Sequence, residues 1–153
     1  MRTNYLLVVR AHAPLYTLKP SAMATLTTNE VTVTADSAYQ DQYSEPVRNQ
    51  FVFSYRIQVR NVSGRPVQLL ARRWTVISGT GERKQVEGEG VVGQQPIIQP
   101  GQTYEYTSWV QFETAVGAME GSYIMAREDR RGREQLFEVE VPRFVHVAPE
   151  VLN

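Results

Sequence analysis

The sequence predicts an all-β fold: an immunoglobulin or fibronectin type III-like sandwich of two antiparallel sheets with about seven strands. Three observations lead to this prediction. From residue 30 onward, apolar residues recur with a period of two, as in half-buried strands. Turn-forming residues recur roughly every ten to fifteen positions. No segment shows the 3.6-residue period of an amphipathic helix. A small β-barrel is the alternative architecture.

The clearest strand is FVFSYRIQVRN, residues 51–61. One of its faces is apolar and aromatic throughout, with Phe51, Phe53, Tyr55, Ile57 and Val59. Because successive side chains on a strand point to opposite faces, this face is expected to lie in the core. The following NVSGRP has the composition of a turn.

The next strand, VQLLARRWTVIS, is expected to direct Leu70, Trp74 and Val76 into the core, and Arg72 falls on the same face. A buried arginine needs a carboxylate partner. The glycines of SGTGER favour a hairpin into KQVEGEG, which would place Glu87 or Glu89 on the neighbouring strand. The sequence therefore predicts a structural ion pair between Arg72 and one of these glutamates.

The segment TYEYTSWVQFE alternates again and places Trp109 on the polar side, with Thr103, Glu105, Thr107 and Gln111. An outward-facing Trp is typical of a binding hot spot, so Trp109 is a candidate for an interaction surface. Two structural alternatives remain. The N-terminal extension would cover the ring, or a β-bulge would reverse the alternation and bury it.

The C-terminal part predicts strands in SYIMARED and EQLFEVEV around the charged turn DRRGR, and Pro142 is expected to end the second of them. Between the two halves of the chain, Pro96 and Pro100 forbid a regular helix.

Composition excludes several classes of site. The 153 residues include no Cys, so disulfides, Cys-ligated zinc and a thiol nucleophile are excluded. Acidic and basic residues balance at 16 each, which does not favour binding to nucleic acid or to a membrane surface. His12 and His146 are the only histidines and lie far apart in the sequence. We therefore expect no catalytic residues and no enzymatic activity.

Residues 1–28 form an acid-poor extension, and residues 29–153 form the sandwich domain. The extension is interpreted as a disordered or processed segment. Its alternatives are a transit peptide, if the source is eukaryotic, an upstream start with the true start at Met23, and a structured strand. The expected location is otherwise cytoplasmic.

The stretch VEGEGVVGQQP contains Gly88, Gly90 and Gly93 in the spacing G-x-G-x-x-G. A dinucleotide-binding loop must open a helix, and the following prolines exclude one. Two interpretations remain: a structural glycine loop, or a phosphate-binding nest of backbone amides at these three glycines. Glu87 and Glu89 point the same way on an extended chain, so they are candidate ligands for magnesium.

Four segments closely resemble the bacterial ApaG family: VRNVSGRPVQLLARRWTV, VEGEGVVGQQPIIQPGQTYEYTS, ETAVGAMEGSYIM and VPRFVHVAP. The resemblance runs from about Val31 to the C-terminus. It implies a single fibronectin type III-like domain, a family-level link to cobalt and magnesium resistance, and a role in protein–protein interaction like that of related eukaryotic domains. Two features depart from the family pattern: the long N-terminal extension, and Trp109 where glycine is more usual.

These observations predict a non-enzymatic binding module that contacts a protein partner. The alternative is a factor that binds phosphate, pyrophosphate or a nucleotide through the glycine loop, with or without magnesium. The partner's identity and the oligomeric state are not specified by the sequence.

Overall fold

The computed structural model describes residues 23–149, and it confirms the two-sheet antiparallel sandwich. Nine strands follow one another in this part of the chain: β1 (Ala24–Thr28), β2 (Val31–Tyr39), β3 (Phe51–Asn61), β4 (Val67–Ser78), β5 (Arg83–Glu89), β6 (Ile97–Ile98), β7 (Thr103–Phe112), β8 (Val116–Glu128) and β9 (Glu134–Val147). Two 3₁₀ turns, Asp41–Tyr43 and Pro46–Arg48, connect β2 to β3. No helix in the described residues is long and apolar enough to cross a membrane.

The first sheet has the strand order β1-β2-β3-β7, and the second has the order β5-β4-β8-β9 with β6 paired to β4. All pairs are antiparallel. The core lies between the sheets, and the alternating face of β3 supplies much of it, as predicted. Trp74 of β4 packs edge-on against Tyr55, Tyr123 and Phe144, so aromatic side chains from both sheets meet at its ring.

A β-bulge at Leu70 corrects the predicted inward face of β4. Leu69 pairs with Met125 and Ala71 pairs with Ile124, so Leu70 is the extra residue. The extra residue reverses the alternation, and Leu69 is therefore fully buried while Leu70 is half-buried. After the bulge, Arg72, Trp74 and Val76 share the inward face as predicted.

The prediction that Pro142 ends the last strand is wrong, because β9 continues to Val147. The register shifts there, since Gly121 pairs with Val141 whereas Met119 pairs with Phe144. Two residues of β9 thus face one residue of β8. A bulge is one of the few places where a sheet accepts proline, since the missing N–H is not needed in the ladder.

The end of the predicted extension contains a strand, because Ala24–Thr28 pairs along its whole length with β2. The sandwich therefore includes five residues that were assigned to the extension. Residues 1–22, the rest of the predicted extension, lie outside the described residues.

The two sides of the sandwich are built differently. On the side that we call the sealed side, β9 of the second sheet packs against β1 and β2 of the first. The Nδ2 atom of Asn29 donates to the carbonyl of Glu138 at 2.7 Å, which joins the sheets there. On the opposite side, which we call the open side, the edge strands are β5 and β7. Among residues 23–149, no hydrogen bond joins these two strands.

Candidate functional site

Trp109 lies on the outer face of β7, as predicted from the alternation. The β3–β7 register runs without a shift from Phe51–Phe112 to Arg60–Thr103, so no bulge reverses the face. The indole is half-buried, and Tyr43 packs edge-on against it with 5.3 Å between ring centroids and planes at 90°. Part of the cover over Trp109 therefore comes from the β2–β3 connection.

Hydrogen bonds hold this connection over the first sheet. Gln40 donates from Nε2 to the Ser54 hydroxyl at 2.9 Å. Ser44 donates to the Gln40 carbonyl at 2.7 Å and accepts from the Val52 N–H at 2.9 Å. The segment that carries Tyr43 is thus fixed at both ends, although it contains no buried apolar residue.

The same connection exposes apolar side chains. Tyr43 is 59% exposed, and Val47, which follows Pro46 in the second 3₁₀ turn, is 97% exposed. A single exposed apolar residue is ordinary, but an exposed Tyr against a half-buried Trp, with an exposed Val on the connection that carries the Tyr, is a surface that a partner can cover. We call Tyr43, Val47 and Trp109 the aromatic patch.

The outer edge of β7 has no partner among residues 23–149. Its ten residues pair with β3 on one side only, and no other main-chain or side-chain bond from the described residues reaches their backbone. The strand contains one charged residue, Glu105, and has neither proline nor bulge. Edge strands are usually protected by such features or by short length, and β7 has little of this protection.

Arg72 points inward behind this edge, but the predicted ion pair with Glu87 or Glu89 does not form among residues 23–149. Its Nη1 instead donates to the main-chain carbonyls of Glu89 at 3.0 Å and Gly90 at 2.9 Å. Gly88 lies directly under the guanidinium, since a Cβ there would be 2.8 Å from Nη1. The positive charge of Arg72 thus has no carboxylate partner in the described part of the chain.

One polar atom of Arg72 remains unbonded, since its Nε is buried without a partner. Ser108, on the inward face of β7, is buried beside its cross-strand neighbour Tyr55. The hydroxyls of Tyr106 and Tyr123 bond to each other in the same region. Burial raises the pKa of Tyr55, Tyr106 and Tyr123. A bond with Ser108 lowers the pKa of Tyr55 by a smaller amount, and the nearby charge of Arg72 lowers all three slightly. All three tyrosines are therefore neutral and do not compensate the arginine.

The glycine loop forms a tight hairpin beside Arg72. The N–H of Val91 donates to the Gln94 carbonyl at 2.8 Å, and the N–H of Gln94 returns to Val91 at 2.9 Å. Gly93 has φ of 71°, and Val92 has φ of 54°, a strained value for a β-branched residue. The N–H of Gly90 donates to the Leu70 carbonyl at 2.7 Å, which fixes the loop over the β4 bulge.

Three backbone amides of the loop are therefore occupied by the fold. An anion-binding nest needs several free N–H groups that converge on one point. The phosphate site at Gly88, Gly90 and Gly93 stays a prediction. The positive φ of Gly90, and the Gln94 carbonyl oxygen that a Cβ would meet there, supply a structural reason for glycine at position 90.

Glu87 and Glu89 lie two residues apart on β5, so they share a face of the strand, and both are exposed, as the candidate metal site requires. Glu87 lies 3.4 Å from Arg73, however, and the carbonyl of Glu89 is bound by Arg72. Within residues 23–149, no cluster of three or more His, Cys, Asp or Glu residues could hold a metal ion. A magnesium site at the two glutamates stays a prediction.

His146 lies on the sealed side, in the core. Its ring is fully buried among Phe53, Phe112 and Phe144, and Nδ1 lies 2.7 Å from the Ser37 hydroxyl. Burial lowers its pKa to about 3, so the ring is neutral at physiological pH. His12 lies outside the described residues. The only described histidine is thus a core side chain that joins β9 to β2.

A shallow groove of about 700 Å³ lies at the far end of the second sheet and was not predicted from the sequence. Its walls include Arg65, Ile97 and the turn that joins β8 to β9. Two of its charged groups bond within the chain: Arg65 donates to the Glu128 carbonyl at 3.0 Å, and Asp129 pairs with Arg133 at 2.9 Å. Arg65 thus resembles Arg72 in bonding a main-chain carbonyl, but Arg72 is the one that points inward.

The comparisons with known proteins agree with this architecture. The family model of the ApaG domain (DUF525) matches residues 41–127. Protein ApaG of Anaeromyxobacter dehalogenans is 41% identical over 131 residues, which cover 86% of this chain and all of the relative. Protein ApaG of Pectobacterium carotovorum is 44% identical over 123 residues, which cover 80% of this chain and 95% of the relative.

A solved structure is also similar. The crystal structure of the putative ApaA protein from Bordetella pertussis superposes with a TM-score of 0.72 at 35% identity, covering 78% of this chain and 94% of that one. Sequence identity and fold therefore lead to the same conclusion over most of the chain. The chain belongs to the ApaG family.

Proposed function

We propose that this chain is a non-catalytic ApaG-type module that binds a partner protein through the aromatic patch. The observation that carries this proposal is the Tyr43–Trp109 pair, an edge-on aromatic contact on the outer face of the first sheet with Tyr43 59% exposed. Aromatic side chains of this kind supply a large contact area at low cost in conformational entropy, and they are enriched at binding hot spots.

The position of the patch supports an interaction role. The bonds from Gln40 and Ser44 fix the connection, so its side chains are presented in one arrangement before a partner arrives. Preorganisation of this kind reduces the entropy lost on binding. Val47 adds an apolar side chain that makes the surface larger than the two rings alone.

The titratable side chains support a role without catalysis. Acid–base catalysis needs a group whose pKa lies near the working pH and which reaches a substrate. His146 is neutral and enclosed by aromatic rings, and the three inward tyrosines are buried with raised pKa values. In this proposal, the family-level link to cobalt and magnesium resistance acts through the bound partner.

The test is capture of partners from the cells that produce the protein. The Tyr43→Ala/Trp109→Ala variant is compared with wild type and with Leu136→Ala/Val145→Ala, which removes two exposed apolar side chains from the second sheet. We expect the first variant to lose at least 90% of a specific partner and the control to retain it, with both folded by circular dichroism. Equal capture by all three proteins would refute the proposal.

A further inference from the structure

The free edge of β7 offers a second component of the same interaction. On the open side, the long unprotected edge, the aromatic patch and the uncompensated Arg72 lie on or behind one strand. Each of the three lacks something that an extended peptide can supply: main-chain hydrogen bonds, an apolar neighbour and a carboxylate.

The other three sheet edges differ from β7. β1 is only five residues long, and β9 is covered by its packing against β1 and β2. The edge of β5 carries charged side chains, including Arg83, Lys84, Glu87 and Glu89, and ends in the bonded glycine loop. Charge, short length and covering are the usual means of preventing strand addition. Only β7 combines length, regular register and a single charge.

We propose that β7 accepts an extended segment of the partner protein as an additional antiparallel or parallel strand of the first sheet. Main-chain bonds along the edge would supply the affinity, as in other complexes formed by β-strand addition. This inference rests on the proposed function, because it describes how the partner of that module docks.

The two faces of the added strand set its side-chain chemistry. On the outer face, the residue beside Trp109 would be a cross-strand neighbour of the half-buried indole, so an apolar or aromatic side chain fits there. On the inner face, the residue beside Ser108 extends over the open side towards Arg72. A carboxylate there would pair with the guanidinium, which has no carboxylate partner in residues 23–149.

Adjacent residues of a strand point to opposite faces. The segment that fits β7 therefore carries Asp or Glu directly beside an apolar or aromatic residue, within a stretch that can be extended. A peptide with both features uses all three unsatisfied elements of the open side together.

The test starts from a phage-displayed library of random ten-residue segments, selected on the full chain. We expect enrichment of an acidic residue next to an apolar one. A synthetic peptide of the enriched sequence should slow hydrogen exchange at alternate amides of Thr103–Phe112 by at least tenfold. Replacing the acidic residue of the peptide by Asn or Gln should weaken binding at least fivefold. This substitution is made in the peptide, so the fold of the protein is not affected.

Proline substitution tests the main-chain contacts. Thr107→Pro and Ser108→Pro are compared because neighbouring N–H groups of an edge strand point in opposite directions, one to β3 and one to solvent. The variant that keeps the wild-type melting temperature has lost only the outward N–H. It should bind the peptide at least tenfold more weakly.

Four outcomes would overturn this inference. The first is that the selected peptides protect other residues and leave β7 unchanged; the proposed function then stands if partner capture still depends on Tyr43 and Trp109. Exchange at the β7 edge that is already slow in the isolated chain, or dimerisation abolished by the folded proline variant, would show that this chain or a second copy occupies the edge. No segment that binds more tightly than about 100 µM would also overturn it.

Discussion

The sealed and open sides of the sandwich differ in the hydrogen bonds that join the two sheets. On the sealed side, His146 of the second sheet meets the Ser37 hydroxyl of the first at 2.7 Å, and Asn29 binds the Glu138 carbonyl. On the open side, no hydrogen bond joins β5 to β7 among residues 23–149, and the buried Nε of Arg72 has no partner there. The Nε2 of His146 and the hydroxyl of Tyr39 are also buried without a partner, so the two sides differ in the bonds that join the sheets.

This difference separates stability from binding. Buried polar groups that are bonded fix the packing of the sheets, whereas unbonded ones cost free energy until something satisfies them. The sealed side therefore contributes a stable scaffold. The open side retains the edge, the aromatic patch and the positive charge that a partner can use.

The largest expected effect comes from the glycine loop that borders the open side. Gly90 has φ of 62°, and a Cβ there would overlap the Gln94 carbonyl oxygen. Gly90→Ala should therefore lower the free energy of unfolding by about 3 kcal/mol, from backbone strain and steric overlap together. Urea denaturation followed by circular dichroism measures the loss.

The matched control for this loop is Gly93→Ala. Gly93 also has positive φ, but its Cβ would meet nothing within 4 Å, so the expected loss is about 1 kcal/mol. Equal losses at the two positions would contradict the steric account. A Gly90→Ala protein of wild-type stability that had lost affinity for pyrophosphate would instead support the phosphate-binding prediction.

The next effect probes the sealed side through pH. The pKa of His146 is lowered from 6.5 to about 3, so between these values the unfolded chain binds a proton that the folded chain does not. The contribution of neutral His146 to the free energy of unfolding is fully present above pH 6.5. It decreases as the pH falls, and about 2 kcal/mol of it is lost at pH 5. Urea titrations at several pH values should show this pH dependence of the free energy of unfolding in the wild type and not in His146→Gln. Parallel pH profiles of the two proteins would contradict the role of His146.

Arg72 gives a smaller effect on the open side. Arg72→Met removes the bonds to the carbonyls of Glu89 and Gly90, and we expect a loss of about 1.5 kcal/mol. Arg73→Met is the control, since Arg73 is exposed and makes a surface ion pair with Glu87, worth less than about 0.5 kcal/mol. A larger loss of stability in Arg73→Met than in Arg72→Met would contradict this expectation. Thermal and urea unfolding both report the difference.

The smallest change is spectroscopic and leaves the fold intact. The Trp74→Phe variant has Trp109 as its only tryptophan, and the Trp109→Phe variant has only Trp74, which is 4% exposed. Acrylamide should quench Trp109 severalfold more strongly than Trp74, because Trp109 is half-buried on the outer face of the sheet whereas Trp74 lies in the core. Complete shielding of Trp109 in the monomer would remove it from the binding surface.

Sequence patterns predicted the parts of the fold that depend on local alternation. The buried face of β3, the outward position of Trp109 and the inward position of Arg72 all follow from a period of two. The face of Leu70 was mispredicted because one inserted residue reverses the alternation, and no residue type marks that bulge. Pro142 was misread for a related reason: a bulge removes the need for its N–H.

The surroundings of the candidate site were less predictable. The partners of Arg72 are main-chain carbonyls, which every residue carries, so no side-chain pattern identifies them. The contact between Tyr43 and Trp109 joins residues far apart in the chain. Which strand edge stays free depends on the order of strands in the sheet, and this order is a property of the whole fold.

The central claim is that a partner binds the open side, at β7 and the aromatic patch. Its most direct test is hydrogen–deuterium exchange of the full chain, alone and with the partner captured by the wild-type protein. We predict slower exchange in Thr103–Phe112 and in the β2–β3 connection, with β9 unchanged. Protection confined to the groove at Arg65 and Ile97, or to β9, would contradict the claim.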